Sequence, residues 1–231
     1  VCRCTKRIVL GARCFQLDAR DVVSFPHDSD GIASMTMLFP CPETGRFEAY
    51  ADKIYEGIED ILKKFPGLDL HHRLAIVVPD DEFREALLGP LKAKLNGTNL
   101  VPVNACDACR CVSARSGSKT SQPNRKSNIV LDSVDNMAGL EFLIVLGVGL
   151  DASLSTGNVS PRLVCSRIFR AITRAQLMFY LINEQVENGW CDFLAFVEEN
   201  RDGGTEKLSF ENELSKFRTK AASLLVDYQQ K

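Results

Sequence analysis

Asn128-Ile129-Val130-Leu131-Asp132-Ser133-Val134-Asp135-Asn136-Met137-Ala138-Gly139-Leu140-Glu141-Phe142-Leu143-Ile144-Val145-Leu146 holds two continuous apolar runs joined by a short polar connector. A strand covered on both faces needs such a run, because neither side of it meets water. The same pattern recurs to either side. Leu74-Ala75-Ile76-Val77-Val78 and Leu177-Met178-Phe179-Tyr180-Leu181-Ile182 are buried strands by the same criterion, and Leu100-Val101-Pro102-Val103 is a further candidate. Between them lie helical patterns. Tyr50, Ile54, Ile58 and Leu62 recur every four residues over Glu48 to Lys64, and Pro66-Gly67 stops that helix. Pro79-Asp80-Asp81-Glu82 opens a second helix with acidic residues in its first turn, where they suit the helix dipole. Pro90 is expected to break or kink it. Pro161 to Ala175 reads as a third helix. Strands alternating with helices predict an α/β domain, a largely parallel sheet with helices on both faces.

The ends of the chain are less informative. Residues 1–46 stay unassigned, although Ile8-Val9-Leu10 and Met35-Thr36-Met37-Leu38-Phe39 are short strand candidates and Phe25 to Gly31 is turn chemistry. Residues 47–200 form the α/β domain and include a helix over 187–200. Residues 201–231 read as a polar helical tail. Residues 113–127 form a polar, turn-rich surface loop whose Arg115, Lys119, Arg125 and Lys126 either touch phosphate or are simply solvated.

The 231 residues suffice for a buried core, with 45% hydrophobic and 25% charged residues. A net charge of −2 argues against a chain that coats nucleic acid by bulk charge. No apolar run approaches the roughly 18 residues of a membrane span. The absence of an initiator Met suggests a piece of something longer. Nine Cys, an odd number in a chain with an ordinary core, point to reduced thiols in an intracellular protein. Cys106-x-x-Cys109-x-Cys111 lacks the second knuckle of a zinc site and reads instead as small apolar residues on a short helix.

Two segments carry chemistry. The connector Asp132 to Phe142 has Gly139 for a tight turn or a close backbone approach, and Glu141 directly before the next strand. In the helix Pro161 to Ala175, Arg167, Arg170 and Arg174 fall three and four apart and so share a face, with no acid in the helix to neutralise them. That face suits an anion such as phosphate, or is a solvated basic surface.

In this order the two segments resemble motifs of superfamily 1 helicases of the UvrD/PcrA/Rep type. Ser133 to Phe142 is similar to T-[VL]-H-x-A-K-G-L-E-F. Ser166 to Ala175 is similar to x-L-x-Y-V-A-x-T-R-A, with Phe169 at the aromatic position. The clear likeness covers residues 127–183, and 73–103 fit the preceding unit more loosely. The resemblance implies the second RecA-like motor domain, closing over ATP and Mg held mainly by an N-terminal RecA-like domain of the same parent chain. Arg174 would be the arginine finger, stabilising charge that develops in phosphoryl transfer. Gly139, Glu141 and Arg170 would face the nucleotide, Glu141 at its sugar. Ser133 and Asn136 would lie by single-stranded DNA or RNA.

The chain departs from the pattern at two positions. Asp135 and Ala138 stand where the family has His and Lys, and loss of cations there should weaken phosphate contact. An arginine that the family supplies earlier has only Arg13 as a guess. No Gly-x-x-x-x-Gly-Lys-[Ser/Thr] loop occurs: Gly117-Ser118-Lys119-Thr120 lacks its spacing. Asp132 ends its strand as a magnesium-binding Asp would, but without a phosphate loop it reads as a strand-end carboxylate. By itself the chain is expected not to hydrolyse ATP. The alternative to a motor half is a helicase-like scaffold or regulatory module without unwinding activity.

Overall fold

The computed structural model describes residues 4–13, 15, 29–40, 42, 44–113, 126–151 and 161–185. They form one six-stranded sheet: β1 (Met35–Pro40), β2 (Leu74–Val78), β3 (Leu100–Val103), β4 (Ser127–Ser133), β5 (Phe142–Val148) and β6 (Ala175–Gln185). The strand order is β1-β6-β5-β2-β4-β3, and every pairing is parallel. Five helices flank the sheet: α1 (Lys6–Arg13), ahead of β1, and α2 (Arg46–Lys64), α3 (Asp81–Lys94), α4 (Ala105–Ser113) and α5 (Pro161–Ile172), which connect strands. The basic loop up to Arg125, the helix expected over 187–200 and the tail over 201–231 lie outside the described residues.

Alternate side chains of each strand feed two cores. Ala75, Val77, Val130, Val145, Phe179 and Leu181 face α1, α4 and α5. Leu74, Ile76, Val78, Ile129, Leu131, Ile144, Leu146 and Ile182 face α2 and α3. Moves of the chain from β1 towards β3 thus use the α2/α3 face, and returns use the other. All crossovers therefore share one hand, as parallel sheets require. The architecture is a RecA-like α/β sandwich.

Four expectations are corrected. Ile8-Val9-Leu10 is helical, not a strand: Ile8 and Ala12, one turn apart, are both buried, and three apolar residues in a row cannot separate the two states. Helix α3 runs through Pro90, near its C-terminal end, without interruption. In α2 the fourth buried position is Ile61, while Leu62 is 41% exposed. Cys106 and Cys109 lie on the exposed side of α4 rather than among its buried apolar residues. Met35–Pro40, from the unassigned stretch, is the edge strand beside β6.

Candidate functional site

The connector between β4 and β5 has to travel the full length of the sheet, because the two strands are parallel with β2 between them. At about 3.3 Å per residue, the seven residues of β4 set that distance at roughly 20 Å. Tight turns take the chain across: Met137 N donates to Ser133 O, Ala138 N to Asp135 O and Leu140 N to Met137 O. Val134 and Met137 sink into the α5-side core and anchor the path. Ser133 and Asn136 therefore stand at the C-terminal end of the sheet, and Gly139 to Glu141 at the opposite edge. Gly139 has φ +82°, and a Cβ there would meet no atom within 4 Å. The glycine is needed for the left-handed turn itself, not for a close approach.

Helix α5 ends at Ile172, and Thr173 and Arg174 form the turn into β6. The expected helical stripe of three arginines is therefore absent. The apolar stripe persists, since Val164, Ile168, Ala171, Ile172 and Ala175 are buried, but Ala175 already belongs to the strand. The arginines are not uncompensated either. Arg167 pairs with Asp80 at 3.4 Å and Arg170 Nη1 with Asp135 Oδ1 at 2.6 Å, while Arg170 Nη2 donates to Val134 O at 3.1 Å. The acids come from other loops, which the composition of the helix alone does not reveal.

Arg174 sits at the N-terminal edge of the sheet rather than at its C-terminal mouth, and there it meets the far end of the connector. Its carbonyl accepts from Phe142 N at 2.9 Å, and its Nη1 donates to Leu140 O at 3.2 Å. Gln176 Nε2 donates to Glu141 Oε2 at 3.0 Å. Gly139, Glu141 and Arg174 are thus brought together by the starts of β5 and β6, while Arg170 is turned towards Asp135. Ser133, 3% exposed, and the exposed Asn136 lie apart from them. Gln176 was not singled out by the sequence. Its signal was its place directly after Ala175, at the start of the strand.

At the C-terminal end, where ligands of open parallel sheets gather, helices leave β2 and β5 on opposite faces. The N-termini of α3 and α4 are already capped by the chain's own carboxylates. Asp80 Oδ1 accepts from Phe83 N of α3 at 2.9 Å. Asp132, 3% exposed, accepts from Ala105 N of α4 at 2.9 Å, from Ser133 N at 2.8 Å and from Asn136 Nδ2 at 2.8 Å. Three of its acceptor sites thus serve the fold, a structural role for this carboxylate. A cavity of about 460 Å³ opens beside it, lined in part by Arg84, Asn104, Cys106, Cys109 and Asn136. Among the described residues no cluster of three metal-ligating side chains occurs, and no helix is long and apolar enough to cross a membrane.

In architecture the fold, a parallel sheet flanked by helices, is that of a RecA-like domain. The chain is similar in fold to the C-terminal domain of a possible DNA helicase from Lactobacillus plantarum WCFS1, with a TM-score of 0.50 and 15% identity over 79% of this chain and 86% of that one. Domain 2 of the DEAD-box helicase Mss116p bound to an RNA duplex aligns at 0.39 and 16%, over 80% and 69%. The Hef helicase domain of Pyrococcus furiosus aligns at 0.35 and 12%, over 65% and 28%. At such identities the likeness concerns the fold alone. No protein-family model and no curated protein sequence matches the chain.

Proposed function

We propose that this domain is the C-terminal motor half of an ATP-dependent superfamily 1 DNA or RNA helicase, acting with an N-terminal ATP-binding domain of its parent chain. The observation that carries the reading is the joining of the Arg174–Gln176 and Leu140–Phe142 segments at one edge of the sheet, by Arg174 to Leu140 and Phe142 and by Gln176 to Glu141. An arginine and a carboxylate carried by two joined segments can serve a phosphate and a sugar hydroxyl of one nucleotide presented from outside. Arg174 takes the role of the finger and Glu141 that of the sugar contact. Gly139 supplies the turn that holds Glu141, and Arg170 supports the nucleotide side through the connector. ATP and Mg belong mainly to the partner domain, in keeping with the self-capped helix ends on this one.

The exposed Asn136, at the other end of the connector, takes the single-stranded nucleic acid, and Ser133, buried beneath it, acts only through the position of the connector. A continuous segment of roughly 20 Å then links strand contact to the hydrolysis cleft. The test is to join the chain to its native upstream region and compare ATP turnover of the parent with that of Arg174→Ala. A loss of about a thousandfold or more is expected for a finger. Near-normal turnover would sink the assignment.

A second reading, a helicase-like scaffold or regulatory module, is favoured by one feature: Asp135 binds Arg170 where the family has a histidine. It predicts that nucleic acid leaves ATP turnover of the joined protein unchanged.

A further inference from the structure

The carboxylate of Glu141 is exposed and precedes its strand, so nothing in its own backbone fixes its direction. Holding such a side chain still costs rotamer entropy, and a site that has done so beforehand gives a ligand more net affinity. Gln176 supplies that fixing. Its Nε2 donates to Glu141 Oε2 at 3.0 Å, across the gap between the starts of β5 and β6. Gln176 is itself held: its carbonyl accepts from Thr5 N at 3.0 Å, at the entrance to α1, and its side chain is half-buried.

The choice of an amide has a consequence. A lysine at this place would orient the carboxylate and also neutralise it. Glutamine orients it and leaves the charge. Among the described residues Glu141 makes no ion pair, so the carboxylate keeps its full strength as an acceptor. With Oε2 engaged, Oε1 is the oxygen turned to a ligand. An ionised carboxylate only accepts, so its partner has to donate. On a nucleotide, hydroxyls of the sugar and amino groups of the base meet that requirement and phosphates do not; the sugar is the group that the proposed role of Glu141 assigns to it.

We infer that Gln176 is a positioning residue that holds Glu141 for a sugar hydroxyl, so that the edge site selects ribonucleotides over nucleotides lacking the 2′- and 3′-hydroxyls. This rests on the nucleotide-facing role proposed for Glu141 and extends it to a substrate class. Gln176 touches no reacting atom, so its removal should act on KM and not on kcat.

The experiment uses the chain joined to its upstream region. Turnover is measured with ATP and with 2′,3′-dideoxy-ATP, for the parent, Gln176→Ala, Gln176→Glu, Glu141→Ala and Arg174→Ala. Loss of one hydrogen bond of this kind predicts a rise in KM for ATP of about tenfold in Gln176→Ala, with kcat within about twofold. KM for the dideoxy nucleotide should not move, so the preference for ATP collapses. Gln176→Glu, which sets carboxylate against carboxylate, should lose at least as much. Gln176→Ala that impairs both nucleotides equally, or neither, overturns the inference while a dead Arg174→Ala keeps the motor reading. Normal turnover in Arg174→Ala, or no turnover in the parent, overturns that reading and this inference with it.

Discussion

Arg170 of α5 and Asp135 of the connector face each other at 2.6 Å. Asp135 is the position at which the pattern its segment resembles has a histidine, and the pairing ties the connector to α5. Both side chains are substantially exposed, at 39% and 75%, so the pair adds little to stability, roughly 0.5 kcal/mol in a double-mutant cycle. Its larger effect is on charge, since Asp135 occupies a guanidinium that would otherwise attract phosphate. Asp135→Ala in the joined protein is expected to raise affinity for single-stranded nucleic acid several-fold and to steepen its salt dependence. Fluorescence anisotropy of a labelled oligonucleotide across a salt series measures both. An unchanged slope would mean that Arg170 does not reach the strand.

Asp80 and Asp132 fill the helix N-termini to which a phosphate would bind in a nucleotide-holding domain of this architecture. The chain without its upstream partner should therefore show no saturable binding of a fluorescent ATP analogue at submillimolar concentrations. Asp80→Ala removes the cap of α3 and should lower stability by about 1 kcal/mol, read as a shift in the urea midpoint. Asp80→Asn, which keeps an acceptor for Phe83 N, should lose much less.

The order from α2 to β6 was legible because the central strands are continuous apolar runs and α2 carries a four-residue period, whereas the three apolar residues of α1 fit a helix and a strand equally. The arginines of α5 were harder. A helical pattern of charge says which residues share a face only while the helix lasts, and Ala175, apolar and buried, fits the end of a helix and the start of a strand equally well. That ambiguity carried Arg174 onto the wrong surface and towards the wrong end of the sheet. The partners Asp80 and Asp135 were invisible for a different reason: pairings between residues 87 and 35 positions apart depend on tertiary packing. The joining of the Leu140–Phe142 and Arg174–Gln176 segments had no signal in local spacing, since none links β5 to β6.

Burial pushes the Cys165 thiol up to about 11 from 9.0, and it pushes the Tyr50 and Tyr180 hydroxyls up as well, the acids Glu184 and Asp60 adding to the effect. Each of these groups holds its proton more tightly when folded. The stability that depends on Cys165 is complete below about pH 9 and is lost as pH rises through 11. Above 9 the unfolded thiol has ionised and the folded one has not, so the loss is about 1.4 kcal/mol for each pH unit. Urea midpoints measured between pH 8 and 10.5 should fall, and fall less steeply in Cys165→Ala. At pH 8 a thiol reagent should modify the exposed Cys106 well before the buried Cys165.

Gly149 and Gly139 both have positive φ, yet they should respond differently to a side chain. Gly149, at φ +62°, closes β5 where the chain turns towards α5, and its N–H donates to Ile182 O at 2.9 Å. A Cβ built there would stand 2.4 Å from Cζ of Phe83, a fully buried ring packed edge-on against Tyr50. Alanine at this position meets both a strained backbone and a ring without room to withdraw. Gly149→Ala should therefore destabilise by about 3 kcal/mol. Gly139 has the same backbone requirement but open space around it, so Gly139→Ala should cost only about 1 kcal/mol. Combining Gly149→Ala with Phe83→Leu separates the two contributions. If the ring is the main obstacle, the double variant loses less than the sum of the singles, because the shorter side chain makes room. Strict additivity in the urea midpoints would instead assign the whole effect of Gly149→Ala to its backbone.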